Sequence, residues 1–498
     1  MPDRRRTRAG AHVRTVVIIQ LLVLLVVTAI WPVSQRVDST PGETLAILEV
    51  VMVLLTVWMI ASWRLVGRTM FDPYGMFLIA ALLFHAGQVY LEAFGLNENG
   101  ILDSALALDT TAESVAIVAC AVAALHFGAL LAVTRARSAT GLRPTSAMMP
   151  DTSRSCRIVG AGLLLVSMLP AFLEMRQRLA TVYESGYAAL YQGEFATGFQ
   201  GAGSILAQFL APGVLFLLAG SRTRRGVRVA AVAIAAIYIL TYLFSGYRGY
   251  AAMLALACAW VWHKCVRPLP KTAMLVAAAV TMFVLFPLVA AVRNVSGADR
   301  MSLSHLRDAY VSIDHPMVAS VSEMGASLVT LAYTLELVPA TRPYELGAGY
   351  GYALASAFPN LFWDLHPAIA RGTPSEWLIW TVDPGTARNG GGLGYSFIAE
   401  AYLNFGWVGM PFVMIGLGFL ICRFVVWADA DGRPVQPARI AAVATFTAFM
   451  LSFARGEALF LVRPLLWQGL GPYAAVIILQ KLRSGQLTRA SRLMMRTS

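Results

Sequence analysis

The sequence predicts an all-α polytopic membrane protein, and three observations carry that reading. About a dozen segments are long and apolar enough to cross a hydrocarbon core of about 30 Å as helices of about 20 residues. The 498-residue chain is 58% hydrophobic and 13% charged, with mean hydropathy +0.65, which leaves no room for a large soluble domain. If the first crossing runs outward from Arg4, Arg5, Arg6, Arg8 and Arg14, every second connection carries dense positive charge and the others do not.

The crossings then fall, in order, at 15–33, 44–62, 76–95, 111–133, 158–175, 201–220, 227–244, 249–263, 272–292, 406–424, 439–453 and 464–480. Both termini lie inside, as do the lysines Lys264, Lys271 and Lys481. The first run lacks a small-residue cleavage site and reads as a retained anchor. The net charge of +12 sits in short inner loops, where it sets topology and meets anionic lipid, so it gives no reason to expect nucleic acid as a partner. The 5 cysteines are scattered over spans and inner loops without disulfide or zinc spacing. No HExxH, GxSxG, phosphate-loop or dinucleotide fingerprint occurs, and Asp429-Ala430-Asp431 lies in a short inner loop with no domain to hold a nucleotide. No cofactor or metal is expected. His85, Gln88 and Glu92 share one face of the third span and Glu49 lies in the second; they read first as internal hydrogen-bonding groups and second as a polar path.

This divides the chain into spans one to nine (1–292), one large outer loop (293–394), and spans ten to twelve with a basic inner tail (395–498). The loop is too rich in Trp, Phe, Tyr and Leu to be disordered, so it should fold onto the membrane surface with short amphipathic helices. Residues 318–339 read as an amphipathic or re-entrant helix ended by Pro339, and 350–362 as a second helix. The run Asn389-Gly390-Gly391-Gly392-Leu393-Gly394 either presents backbone N–H groups to an anion at the start of the next helix or is a plain hinge. In that helix Ser396, Glu400 and Asn404 recur every fourth residue and share a face.

Five outer arginines sit beside span ends or the glycine run: Arg248, Arg293, Arg388, Arg455 and Arg463. Guanidinium groups bind phosphate oxygens bidentately and stay charged, so a ring of them suits a lipid-linked pyrophosphate; snorkelling to headgroups is the plainer reading of any single one. Arg176 and Arg178 open the loop 176–200, where Tyr183, Tyr187, Tyr191 and Phe195 recur every fourth residue, as a sugar-stacking face or an interfacial belt would. Candidate acid–base groups for glycosyl transfer are His315, Glu323 and Glu400.

Gly392-Leu393-Gly394-Tyr395-Ser396-Phe397-Ile398-Ala399-Glu400 running into Tyr402-Leu403-Asn404-Phe405-Gly406, the Gly246-Tyr247-Arg248 turn and Arg455-Gly456-Glu457 resemble the O-antigen or oligosaccharide repeat-unit polymerases (Wzy-type) of bacterial surface-polysaccharide pathways. The resemblance implies a GT-C-like, metal- and nucleotide-independent glycosyltransferase of the bacterial cytoplasmic membrane. Its donor and acceptor would be undecaprenyl-pyrophosphate-linked oligosaccharides, and a chain-length regulator and a flippase would be its companions. It assigns Arg248, Arg388 and Arg455 to the pyrophosphate and Glu400 and Asn404 to orienting sugar or arginine, and it leaves the acceptor-activating base unassigned. Beside it, the residue reading adds Arg293 and Arg463 to the pyrophosphate, puts Glu400, Arg388, His315 and Glu323 at the chemistry, and sets Arg176, Tyr187, Tyr191, Tyr395 and Asn404 against the glycan. A ligase using the same donor, an exporter of lipid-linked oligosaccharide and a non-catalytic scaffold are the competing readings.

Overall fold

The computed structural model describes residues 2–37, 39–97, 106–140, 151–191, 198–292, 302–358, 366–429 and 434–494, the side chains of 2–11, 137–140, 198–202, 303 and 485–494 excepted. Among the described residues there is no strand. The first long helices are α1 (Pro2–Ser34), α2 (Pro41–Leu65), α3 (Pro73–Ala93), α4 (Leu108–Thr140) and α5 (Ser153–Ser185). They are followed by α6 (Gly198–Ala207), α7 (Leu210–Ala219), α8 (Arg225–Phe244), α9 (Arg248–Val261) and α10 (Lys271–Val280), which continues through a wider π turn into Phe286–Val292. The long connection carries α11 (Leu303–Val311), α12 (Pro316–Gly325), α13 (Ser327–Leu337), α14 (Ala348–Ala355), α15 (Pro367–Ala370), α16 (Pro374–Val382) and α17 (Pro384–Arg388). The chain closes with α18 (Phe397–Ala428), α19 (Pro437–Phe453), α20 (Leu459–Pro464) and α21 (Gly471–Met494).

Ten helices of the described chain are long and apolar enough to cross a membrane, and Gly203–Ala219 and Pro437–Phe453 are shorter apolar helices. The protein is a polytopic helical membrane protein. The predicted eighth crossing is α9 extended by a π turn at Trp262–Val266.

One helix of spanning length, Pro316–Leu337, lies in what the sequence reads as the outer loop. Its contacts tie it to three elements: Glu323 of α12 pairs with Arg248, the first residue of α9; Ser320, one turn earlier, donates to the Met282 carbonyl of the Lys271–Ala291 rod; and Glu336 of α13 accepts from Thr110 in the first turn of α4. The second loop helix is shorter than expected, α14, and 359–365 lies outside the described residues.

The core has two parts. One gathers α1 to α4 and α18; the other gathers α5, α7, α8, α9 and α19, with Ala80 and Phe424 packed against both. The most extensive helix pair is α4 with α18. From Val115 to Leu125 every residue of α4 is buried, and many are alanine, which lets backbones approach closely where lipid supplies no hydrophobic drive. A Cβ on Gly418 would sit 1.9 Å from the Leu125 carbonyl oxygen, and one on Gly128 2.0 Å from that of Ile415. At the opposite end from the long connection, Asp429 is held by Lys264 at 2.6 Å, and its carbonyl accepts from Arg68.

Gly418→Val should overpack this seam and lower stability by about 1–3 kcal/mol or more, read as a lower melting midpoint of the purified protein. Gly416→Val, two residues away and facing nothing within 4 Å, should melt like the wild type. Equal losses in the two variants would sink the packing account.

Candidate functional site

The start of α18 is where the long connection, the α19–α20 turn and α3 meet. Ser396 holds an extended conformation (φ −145°) and its Oγ accepts from the N–H groups of Ile398 and Ala399, capping the helix. His85 of α3 reaches the same Oγ at 2.7 Å through Nε2. Its Nδ1 faces the Ala81 carbonyl, which can only accept, so Nδ1 carries the proton and Nε2 of the neutral ring accepts the serine hydroxyl. Because these backbone donors are already taken, the helix start is a closed cap. Of the glycine run, Gly390 and Gly391 turn their N–H groups back onto Ala387 and Thr386.

Glu400, one turn in, is 2% exposed and its Oε2 accepts from the Ala458 N–H at 2.8 Å. Asn404, fully buried, uses Oδ1 for the N–H groups of Gly347 and Gly349 and Nδ2 for the Glu400 carbonyl. The helix then breaks at Gly406 (φ 62°, ψ −165°), a backbone conformation open to glycine alone. Just before the break, the carbonyls of Leu403 and Asn404 accept from Glu345 and Leu346. A short helix, Phe397–Phe405, is thereby stitched to the 345–349 segment before the crossing proper begins, close to the predicted start of the tenth span.

Around it lies a network of charges. Glu345 pairs with both Arg342 and Arg371; Arg342 also covers the Trp377 ring at 4.5 Å and Arg371 the Tyr352 ring at 4.9 Å. Glu457 is fully buried and accepts from the Ser375 N–H and hydroxyl at the start of α16. Glu345, Glu457 and Arg371 all act electrostatically on Glu400. Three carboxylates thus share two arginines. Burial pushes the Glu457 carboxyl up from its ordinary 4.5 to about 7, opposed by the Ser375 hydrogen bonds and by Arg371. Of this set the sequence reading names Glu400 as a candidate and includes Glu457 in a motif. It misses Glu345, Arg342 and Arg371, which lie in loops with no periodicity to mark them.

The remaining candidates are placed as follows. Arg455 is exposed and lies over the backbone at Gly394 (φ 73°): a Cβ there would be 3.4 Å from the arginine Nε. Arg388 ends α17, exposed, with no hydrogen bond or ion pair to the described residues. Arg248 pairs with Glu323 and donates to the Phe286 carbonyl at 2.9 Å, so one pyrophosphate candidate and one base candidate neutralise each other. Arg463 is half-buried, donating to the Ser356 carbonyl beside Trp467, in a cavity of about 290 Å³ also lined by Gln208, His366 and Gln468. Arg293 lies outside the described residues. His315 is exposed at the start of α12 and Arg176 exposed on α5. The hydroxyls of Tyr187 and Tyr191 meet at 2.8 Å. Tyr395 is 1% exposed, its hydroxyl 3.4 Å from that of Thr334, so its ring packs in the core and offers no open face. Asn404 is equally enclosed. Among the described residues no three His, Cys, Asp or Glu side chains gather as a metal site requires.

Glu457 makes stability depend on pH. The folded state holds its proton more tightly than the unfolded state, so this contribution is full below pH about 4.5 and is lost as pH rises through about 7. From pH 5 to pH 8 the unfolding free energy of the wild type should fall by an amount on the order of 3 kcal/mol, read as a lower melting midpoint, and should fall distinctly less for Glu457→Gln. Parallel profiles would rule the account out.

No curated protein and no solved structure matches the chain. The family model described as O-antigen polysaccharide polymerase Wzy matches residues 16–486, nearly the whole length, and carries out at the level of the full chain what the motifs around Gly392–Gly406 suggest; the protein belongs to the Wzy family of O-antigen polysaccharide polymerases.

Proposed function

We propose that the protein lies in the bacterial cytoplasmic membrane with both termini cytoplasmic and extends a surface glycan at the outer face. It would transfer the growing chain from an undecaprenyl-pyrophosphate donor to the non-reducing end of a second lipid-linked repeat unit. In that step the bond between the donor's reducing-end sugar carbon and the pyrophosphate oxygen breaks, and an acceptor hydroxyl oxygen takes its place on that carbon. The hydroxyl proton passes to a base, and the carrier pyrophosphate leaves with the bonding pair. The largest demand is charge on the leaving group.

The observation that carries this reading is the pairing of two exposed arginines, Arg388 and Arg455, with the bare backbone of the glycine run. Gly394 lets Arg455 lie flat against the chain, and Arg388 has no competing carboxylate among the described residues. The arginines Arg342 and Arg371 are already committed to Glu345, which makes that network a scaffold and leaves Arg388, beside the glycine run, to the ligand, with Arg455 lying over the backbone at Gly394. Arg248 would serve the pyrophosphate only by giving up Glu323, and the carboxylate so released would be the base that takes the acceptor proton. Glu400 and Asn404 act by position: they fix the short helix from which the glycine run departs.

Purified protein in lipid nanodiscs, given undecaprenyl-pyrophosphate-linked repeat units from its own pathway, should yield a ladder spaced by one repeat unit. Arg388→Ala and Arg455→Ala should each lose about a hundredfold or more in rate with melting midpoints unchanged, whereas Glu400→Ala should lose both rate and stability. Transfer only to a different acceptor lipid would identify a ligase, and no transfer to any acceptor would overturn the reading.

A further inference from the structure

Six tyrosines from three separate segments converge beside the Arg248 turn. Tyr187 and Tyr191 lie on the turn after α5, Tyr238 and Tyr242 on the last two turns of α8, and Tyr247 and Tyr250 flank the start of α9. Neighbouring ring centres are between 4.8 Å and 6.1 Å apart. Arg178 sits among them, 4.6 Å over the Tyr247 ring and 5.4 Å over that of Tyr242, and is tied to Glu174 at 2.9 Å. Tyr191 and Tyr250 keep about half their surface open, 48% and 53%.

An interfacial belt accounts for tyrosines spread around a perimeter with their rings toward lipid. It does not account for six that turn toward one another around a single cation. Nor does the basin suit an anionic headgroup, because the charge of Arg178 is already matched by Glu174. What remains is a wall of ring faces edged by hydroxyls, two of them bonded as the pair Tyr187–Tyr191 and two as Tyr238–Tyr242. That combination complements a pyranose, which has an apolar C–H face and polar equatorial edges. Rigid amphipathic rings also supply contact area at small entropic cost.

We propose that this basin is a carbohydrate-binding platform that holds the glycan through its sugar rings, apart from the arginines that take the pyrophosphate. The cation–π contacts of Arg178 lock Tyr242 and Tyr247 in place, and the open rings of Tyr191 and Tyr250 stack on the sugar. The occupant's identity as the growing glycan rests on the polymerase reading; recognition of a pyranose surface does not. Tyr187 and Tyr191 are glycan candidates from spacing alone, and the other four tyrosines and the role of Arg178 come from the structure.

The probe is the water-soluble glycan released by mild acid from cells carrying this protein's own pathway, titrated by calorimetry into protein in phosphatidylcholine nanodiscs. Wild type should bind, Tyr191→Ala and Tyr250→Ala should each weaken binding by about tenfold, and Tyr250→Phe should stay within about twofold. Wild-type protein with 13C-labelled tyrosine rings gives a readout independent of any variant's folding: the glycan should shift ring signals, among them those missing from Tyr250→Phe. Absent binding, unshifted rings, or alanine variants that bind like the wild type would overturn the platform. Ring-dependent binding from a protein that makes no ladder would leave the platform standing and remove the polymerase step.

Discussion

Everything at the loop-bearing end depends on a helix that stops at Gly406 and starts again. Inside a bilayer an interrupted helix leaves backbone groups that must find partners within the protein. Here the 345–349 segment supplies them: Glu345 and Leu346 take the carbonyls of Leu403 and Asn404, and Asn404 in turn takes Gly347 and Gly349. The break therefore fastens the long connection to the bundle. Glu345, fixed by its backbone in this way, is then in place to gather Arg342 and Arg371.

A buried set of charges stabilises a fold only weakly unless every member is matched. Three carboxylates on two arginines leave one acid short of a partner, and burial pushes the Glu457 carboxyl up to about 7 against the pull of Ser375 and Arg371. The arrangement resists rearrangement because each group serves two neighbours: Glu457 holds the start of α16, Glu400 holds the turn at Ala458, and Arg371 bridges Glu345 and the ring of Tyr352. The exposed arginines project from a surface whose underlying polar groups are already occupied.

Long apolar runs and the alternation of basic loops are legible because membrane insertion enforces them over windows of about 20 residues. The sequence reading starts the tenth span at 406, at the Gly406 break, whereas the helix itself begins at Phe397. The site was legible only where a motif is local. Ser396, Glu400 and Asn404 announce themselves by spacing, and their burial and capping roles follow from a helix face turned inward. Glu345, Arg342 and Arg371 do not, since their meaning arises from segments brought together by Gly406. Burial also separates residues that spacing treats alike: Tyr191 is half open while Tyr395 is enclosed, and Arg248 is neutralised by Glu323 while Arg388 has no such partner among the described residues.

The pair α12–α13 carries a consequence for how the protein is made. At 22 residues and mean hydropathy 1.2 it has the credentials of a crossing, in a stretch the sequence reads as a loop. Its packing partner is an early one: Gly87 of α3 lies against the Val321 carbonyl, and Gln88 donates to Ser322, 234 residues further on. Where α12 settles thus depends on a helix that the chain completes long before this segment is synthesised.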